Sequence, residues 1–398
     1  MANRILDRQM RDNSAPTGTI VLTQSMKSII IRAGPRALQH VREHGLRPND
    51  IDIVPGAAGG PKGLGLALLD EYLFADWLPS GFATRAQPVK LIGASIGAWR
   101  FAAACQNNPR DALQAFAKAY SEQRYPRQVD AKYVSAYARS LTHSLFNGRE
   151  EELLTNRHYQ LNVLVGRGKG ILKREARGRT HAGFALAALA NAVGRPQLRH
   201  FLDRVWFYAG RESVPFAGAG SGATAGFPAG DGKLFDHFCT HYVKLTAQNF
   251  SDALIASGSI PLVLQGVAQI ADAPLGTFWD GGIIDYHLHL PYHRSPGLVL
   301  YPHFTDKIVP GWLDKMLPWR KAEGPWLSNM ILISPTREYL AALPHRKLPD
   351  RNDFKRFMGD DDGRLRYWRR AMAESARLRD EFAELVTSGR IAEVMQPL

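Results

Sequence analysis

Apolar residues along this chain fall into short β-branched runs and longer helically spaced stretches, and the two kinds alternate. Ile51-Asp52-Ile53-Val54 reads as a strand and passes directly into a glycine-rich segment, residues 55–65. Residues 66–77 then carry leucines and aromatics at helical spacing without a breaker. The order repeats with Val89-Lys90-Leu91-Ile92, a glycine turn and an alanine-rich helical stretch over residues 96–105. Strand, glycine turn and helix, twice in succession, predict an α/β fold with a mainly parallel central sheet. Upstream, residues 31–46 read as a helix closed by Gly45, and residues 1–30 as a loose polar arm.

Later strands are expected at Leu298-Val299-Leu300-Tyr301 and Met330-Ile331-Leu332-Ile333. They extend the α/β core over residues 31–335 and leave residues 336–398 as a helical C-terminal extension. Within the core, residues 150–235 read as an insertion or lid that is basic and then rich in glycine. Residues 167–204 hold nine Arg or Lys against two acids, and residues 217–233 hold six glycines. The extension contains an amphipathic pattern over residues 364–387, with Leu365, Trp368, Met372, Leu378, Phe382 and Leu385 on one stripe. That stripe, and Trp312, Trp319 and Trp326 interleaved with Lys315, Arg320 and Lys321, suit core packing or a bilayer surface; core packing is the commoner use.

Composition narrows the classes. A chain of 398 residues with 45% apolar residues and 10% aromatics can bury a sizeable core and is not a disordered polymer. Two cysteines, Cys105 and Cys239, exclude a disulfide scaffold and make a reducing, cytoplasmic setting the default expectation. The longest apolar stretch, residues 184–193, is too short to span a bilayer, and residues 1–12 lack the apolar centre of a signal peptide. A formal charge of +13 favours anionic partners. No zinc finger or aromatic-laced RNA motif accompanies the basic clusters, so nucleic acid is not the expected partner, although a non-catalytic anion-binding protein is an alternative reading. A peripheral contact with an anionic membrane uses the same charge more simply.

Three segments carry chemistry. Gly93-Ala94-Ser95-Ile96-Gly97 is a G-x-S-x-G sequence between a predicted strand and a predicted helix. In such an elbow the serine occupies a tight bend, Gly93 and Gly97 remove colliding side chains, and the helix N-terminus faces the reaction centre. Taken alone, it is also compatible with an ordinary βα turn. Gly59-Gly60-Pro61-Lys62-Gly63 precedes the first helix; its backbone N–H groups can face a developing oxyanion, and Lys62 can add positive charge. The phosphate-loop alternative fails, because Pro61 and Gly63 stand where that motif needs glycine and Ser/Thr. Asp280-Gly281-Gly282 offers an aspartate at a strand end, able to approach a serine from another loop; alone it reads as an Asp-Gly turn.

In this order, with Ala256-Ser257-Gly258-Ser259-Ile260-Pro261 ahead of the aspartate, the motifs resemble the patatin-like phospholipase family over about residues 50–300. The resemblance implies a patatin-like layered fold and a lipid acyl hydrolase that needs no cofactor and no metal. It implies Ser95 as nucleophile, Asp280 as base, and Gly59, Gly60, Lys62 and Gly63 as the oxyanion loop. Its substrates are expected to be phospholipids or other fatty acyl esters. Ala57-Ala58 precede Gly59 where many members carry glycine, and Lys62 replaces the commoner arginine. Two alternatives use the histidines after Asp280. His287, His289, His293 and His303 permit a Ser-Asp-His triad. His287 and His289 also have the spacing of a metal pair on one face of a strand, although HExxH and CxxC patterns are missing. Calcium is not expected, since Asp360-Asp361-Asp362 reads as a helix cap.

Overall fold

The computed structural model describes residues 27–210, 215–216, 236–320, 322 and 324–398. Ten strands among these residues form one mixed, mostly parallel sheet: β1 (Ile29–Ala33), β2 (Ile51–Gly56), β3 (Val89–Ala94), β4 (Tyr159–Gly168), β5 (Leu202–Tyr208), β6 (Thr240–Lys244), β7 (Phe278–Asp280), β8 (Leu298–Pro302), β9 (Met330–Pro335) and β10 (Gln396–Pro397). Their order is β10-β1-β9-β8-β2-β3-β4-β5-β6, with β7 attached to β4. The chain is thus of the α/β class. β2, β3 and β4 run parallel at the centre, where buried Val, Ile and Leu side chains replace the alternating pattern of a half-exposed strand.

Two expectations are corrected at the level of elements. The helix read over residues 31–46 begins only at Pro35 and ends at His44, because Ile29–Ala33 is the strand β1 between β9 and β10. The segment read as an insertion or lid supplies β4 and β5, which run through the sheet and not over it. Its glycine-rich part, residues 217–233, lies outside the described residues, as do residues 1–26 of the arm expected over residues 1–30, whose Ile29 and Ile30 belong instead to β1.

The expected helix over residues 364–387 is two helices, Asp361–Glu374 and Ala376–Thr387, joined at the buried Ser375. Ser375 Oγ donates to the Met372 carbonyl and accepts from Leu68 N, tying the junction to the core. Trp368, Leu378, Phe382 and Leu385 are buried, so most of the apolar stripe is core packing. Residues beyond 335 do not stand apart from the sheet: β10 pairs with β1, and Phe382 meets Trp77 edge to face with ring centroids 5.5 Å apart.

Candidate active site

Ser95 follows the last residue of β3 and immediately precedes the helix Ile96–Ala104. Its backbone has φ 55° and ψ −129°, a conformation that is costly for any residue with a β-carbon and that turns the side chain out of the strand end. The turn closes only because Gly97 lies against β2: a β-carbon there would stand 1.9 Å from the Gly56 carbonyl oxygen. Sequence and sterics therefore agree on why this elbow is built from glycine on both sides.

Asp280 reaches the same place through β4. Ala94 pairs with Leu164 of β4, and Asp280, the last residue of β7, pairs with Val165. Adjacent β4 residues thus bring the serine and the aspartate together. Ser95 Oγ donates to Asp280 Oδ2 at 2.8 Å, and the other carboxylate oxygen accepts from Gly282 N at 2.7 Å. Both side chains are buried. Burial pushes the Asp280 carboxyl above its ordinary value, against the positive charge of Arg351 and the hydrogen bonds from Ser95 and Gly282.

The Ala256–Pro261 segment braces both groups. Ser257 Oγ accepts from Ser95 N at 2.9 Å and donates to the Leu164 carbonyl at 2.8 Å. Two residues on, the Ser259 carbonyl accepts from Asp280 N at 2.9 Å. The roles of Ser257 and Ser259 are backbone geometry, which the sequence marks only as a short motif.

Of the glycine-rich loop, Gly60 lines the same cavity as Ser95. Gly60 opens the 3-10 helix Gly60–Leu66, so its N–H has no acceptor inside that helix. Its φ of +56° suits glycine, and the space a β-carbon would fill is taken by Arg351, whose Nε lies 3.1 Å from that point. Gly59 packs under Phe304, and Gly63 packs against Ile96 and Arg100. Lys62 extends over the Phe304 ring, 5.3 Å from its centroid, and does not line the cavity. Burial first, then Lys315, pushes the Lys62 ammonium below its ordinary value.

The cavity has a volume of about 530 Å³. Trp99, Val134, Leu141, Ile255, Leu264 and Phe354 give it an apolar wall, while Arg127, Arg351 and Lys355 add positive charge. Nothing in the motifs pointed to Arg351, which comes from the segment expected to be an extension.

The histidines lie elsewhere. None of His287, His289, His293 and His303 lines the Ser95 cavity, and Asp280 meets the serine without an imidazole between them. His287 Nδ1 lies 3.0 Å from the Lys307 carbonyl, and His303 Nδ1 lies 2.7 Å from that of Thr305. Burial, with His303 beside it, pushes His287 well below its ordinary value; burial takes His303 to about 3. His289 stacks on Trp326, and His293 is exposed. Residues 286–290 are not a strand, so the expected one-face pairing of His287 and His289 does not arise. Among the described residues, Asp203, Cys239 and His241 bring possible ligand atoms within 4.8 Å of one another. Asp203 is already engaged: burial opposes its ionisation, but His241, Arg167 and Lys169 hold it down to about 2. Two nearby cations disfavour a metal ion there.

The basic clusters are partly internal. Arg204 is buried between Asp236 and Asp285, and Arg364 is buried against the Phe354 and Trp368 rings. Trp312 and Trp319 are exposed, and Trp326 is half-buried. Comparison with protein-family models, curated proteins and solved structures found no match.

Proposed function

We propose that this chain is a serine acyl hydrolase of the patatin-like kind, cleaving phospholipids or other fatty acyl esters through an acyl-serine intermediate. The observation that carries the reading is the direct Ser95–Asp280 hydrogen bond, 2.8 Å long, at the wall of a mostly apolar cavity. The ordered glycine, serine and aspartate motifs support it, and so does the α/β class with its mostly parallel sheet.

In the proposed reaction the Ser95 oxygen attacks the ester carbonyl while its proton passes to Asp280 Oδ2. The carbonyl oxygen becomes the oxyanion, and the Gly60 N–H and the N-terminus of the helix Ile96–Ala104 stabilise it. Collapse breaks the ester C–O bond, and the proton on Asp280 goes to the departing alkoxide. Water then loses a proton to Asp280 as it attacks the acyl-serine, and the second collapse returns that proton to Ser95 Oγ and releases the fatty acid. Every step uses side chains of this chain, so no cofactor is invoked.

Burial favours this use of Asp280, because a carboxyl raised above its ordinary value is a stronger base once ionised. The test is hydrolysis of a medium-chain p-nitrophenyl ester by Ser95→Ala and Asp280→Asn proteins that retain the native circular dichroism spectrum. Each is expected to lose turnover on the order of 10⁴-fold. Wild-type rates in Ser95→Ala would remove the proposal.

A further inference from the structure

Arg351 is a cation at the candidate site that makes no direct ion pair with a carboxylate among the described residues. It is half-buried and borders both the Ser95 cavity and the small recess lined by Asp280. Its Nε lies 3.1 Å from the point where a β-carbon on Gly60 would stand, and the Tyr120 hydroxyl lies 3.8 Å from the same point. The guanidinium therefore lies beside Gly60.

The acids close to it in sequence are committed elsewhere. Asp350 and Asp353 both pair with Lys347, at 2.8 and 2.7 Å. Asp280 is engaged by Ser95 and Gly282. Among the described residues Arg351 has no hydrogen-bonded or ion-paired carboxylate, while Lys62 and Lys315 stand near enough to feel its charge. Asp280 borders the same recess and feels the Arg351 charge, but it does not pair with the guanidinium, whose hydrogen-bonding edge is left for a ligand that brings its own counter-charge. Its planar fork matches phosphate and carboxylate oxygens. Arg127 and Lys355, which also line the cavity, add positive charge, and Asp361, the acid in that lining, pairs with Arg364 at 3.2 Å.

We propose that Arg351 receives an anionic oxygen group, phosphate or carboxylate, carried by the same molecule whose acyl chain occupies the apolar cavity. This makes the preferred substrate an anionic acyl ester and Arg351 a specificity-determining residue. The inference rests on the acyl-hydrolase reading for the word substrate, but the binding site itself can be tested without turnover.

The experiment is calorimetric titration of the Ser95→Ala protein with octyl phosphate, octanoate, octanol and inorganic phosphate. Octyl phosphate or octanoate is expected to bind about 10- to 100-fold more tightly than octanol, the scale of a hydrogen bond to a charged group. Adding Arg351→Gln should erase that preference. Inorganic phosphate should bind more weakly than octyl phosphate, because it leaves the cavity empty. Equal affinity for octanol and both anions would overturn the proposal, and so would inorganic phosphate matching octyl phosphate. The first comparison does not depend on how the Arg351 variant folds. In the wild-type protein, ester hydrolysis without any charge preference would sink the anion site alone. Anion-selective binding with no ester hydrolysis would instead sink the acyl-hydrolase reading.

Discussion

Ser95 and Asp280 were legible in the sequence because each stands in a motif whose glycines have a local steric reason. The bend at Ser95 needs Gly97 beside β2, and that need is written within three residues of the serine. Arg351 was not legible, since its approach to Gly60 depends on a distant segment folding back over the loop. Nor could spacing place the histidines; the structure puts all four outside the Ser95 cavity, and the serine meets Asp280 directly. The electrostatics of Asp280 give a pH prediction. Protonated Asp280 cannot act as a base, so the rate falls as pH drops through its native value, which burial raises above that of an ordinary carboxyl. Arg351 opposes that shift, so Arg351→Gln is expected to move the acid limb of the kcat/KM profile to higher pH. A limb that stays in place or moves to lower pH would contradict this coupling.

At the scale of elements, the two strand–glycine–helix units were legible, and their mutual bracing was not. Arg100, on the helix after Ser95, grips Asp70, on the helix after the glycine-rich loop, through two hydrogen bonds of 2.6 Å. Both side chains are buried, so this fork fixes the Ser95 turn against the glycine-rich loop. Arg100→Met is expected to cost about 3–5 kcal/mol by leaving a buried carboxylate unpaired. Adding Asp70→Asn should recover much of the loss, as read by urea denaturation. Equal stability of wild type and Arg100→Met would refute the bracing role. β4 and β5 escaped notice because their polar residues suggest exposure, yet those residues are satisfied inside the sheet. Gln160 donates to the Ala209 carbonyl, Asn162 accepts from Trp206 Nε1, and Arg204 pairs with Asp285. β1 was misread because a short isoleucine run followed by a helix has no periodicity of its own to mark the boundary.

For the whole molecule, the α/β class followed from the alternation of runs, whereas the integration of the C-terminal segment did not. The two residues of β10 tie that segment to the sheet, and Arg351, Phe354 and Lys355 are among its residues that line the cavity; none of these contacts leaves a compositional trace. Among the described residues no helix is long and apolar enough to cross a membrane. Trp312, Met316 and Trp319 are exposed, with Lys315 in the same stretch, and Trp312 also borders the recess at Asp280, so a peripheral contact with an anionic bilayer is expected to use this face. Co-sedimentation with vesicles is therefore expected to rise with phosphatidylserine content, fall with salt and weaken in Trp319→Ala. Binding indifferent to anionic lipid would reject that surface. Reaction of the native protein with an alkyl fluorophosphonate, followed by mass mapping of the modified peptide, tests the Ser95 nucleophile without any choice of substrate. A single adduct on Ser95, lost in Ser95→Ala, is expected; an unmodified protein, or an adduct on another serine, would rule out Ser95 as the nucleophile.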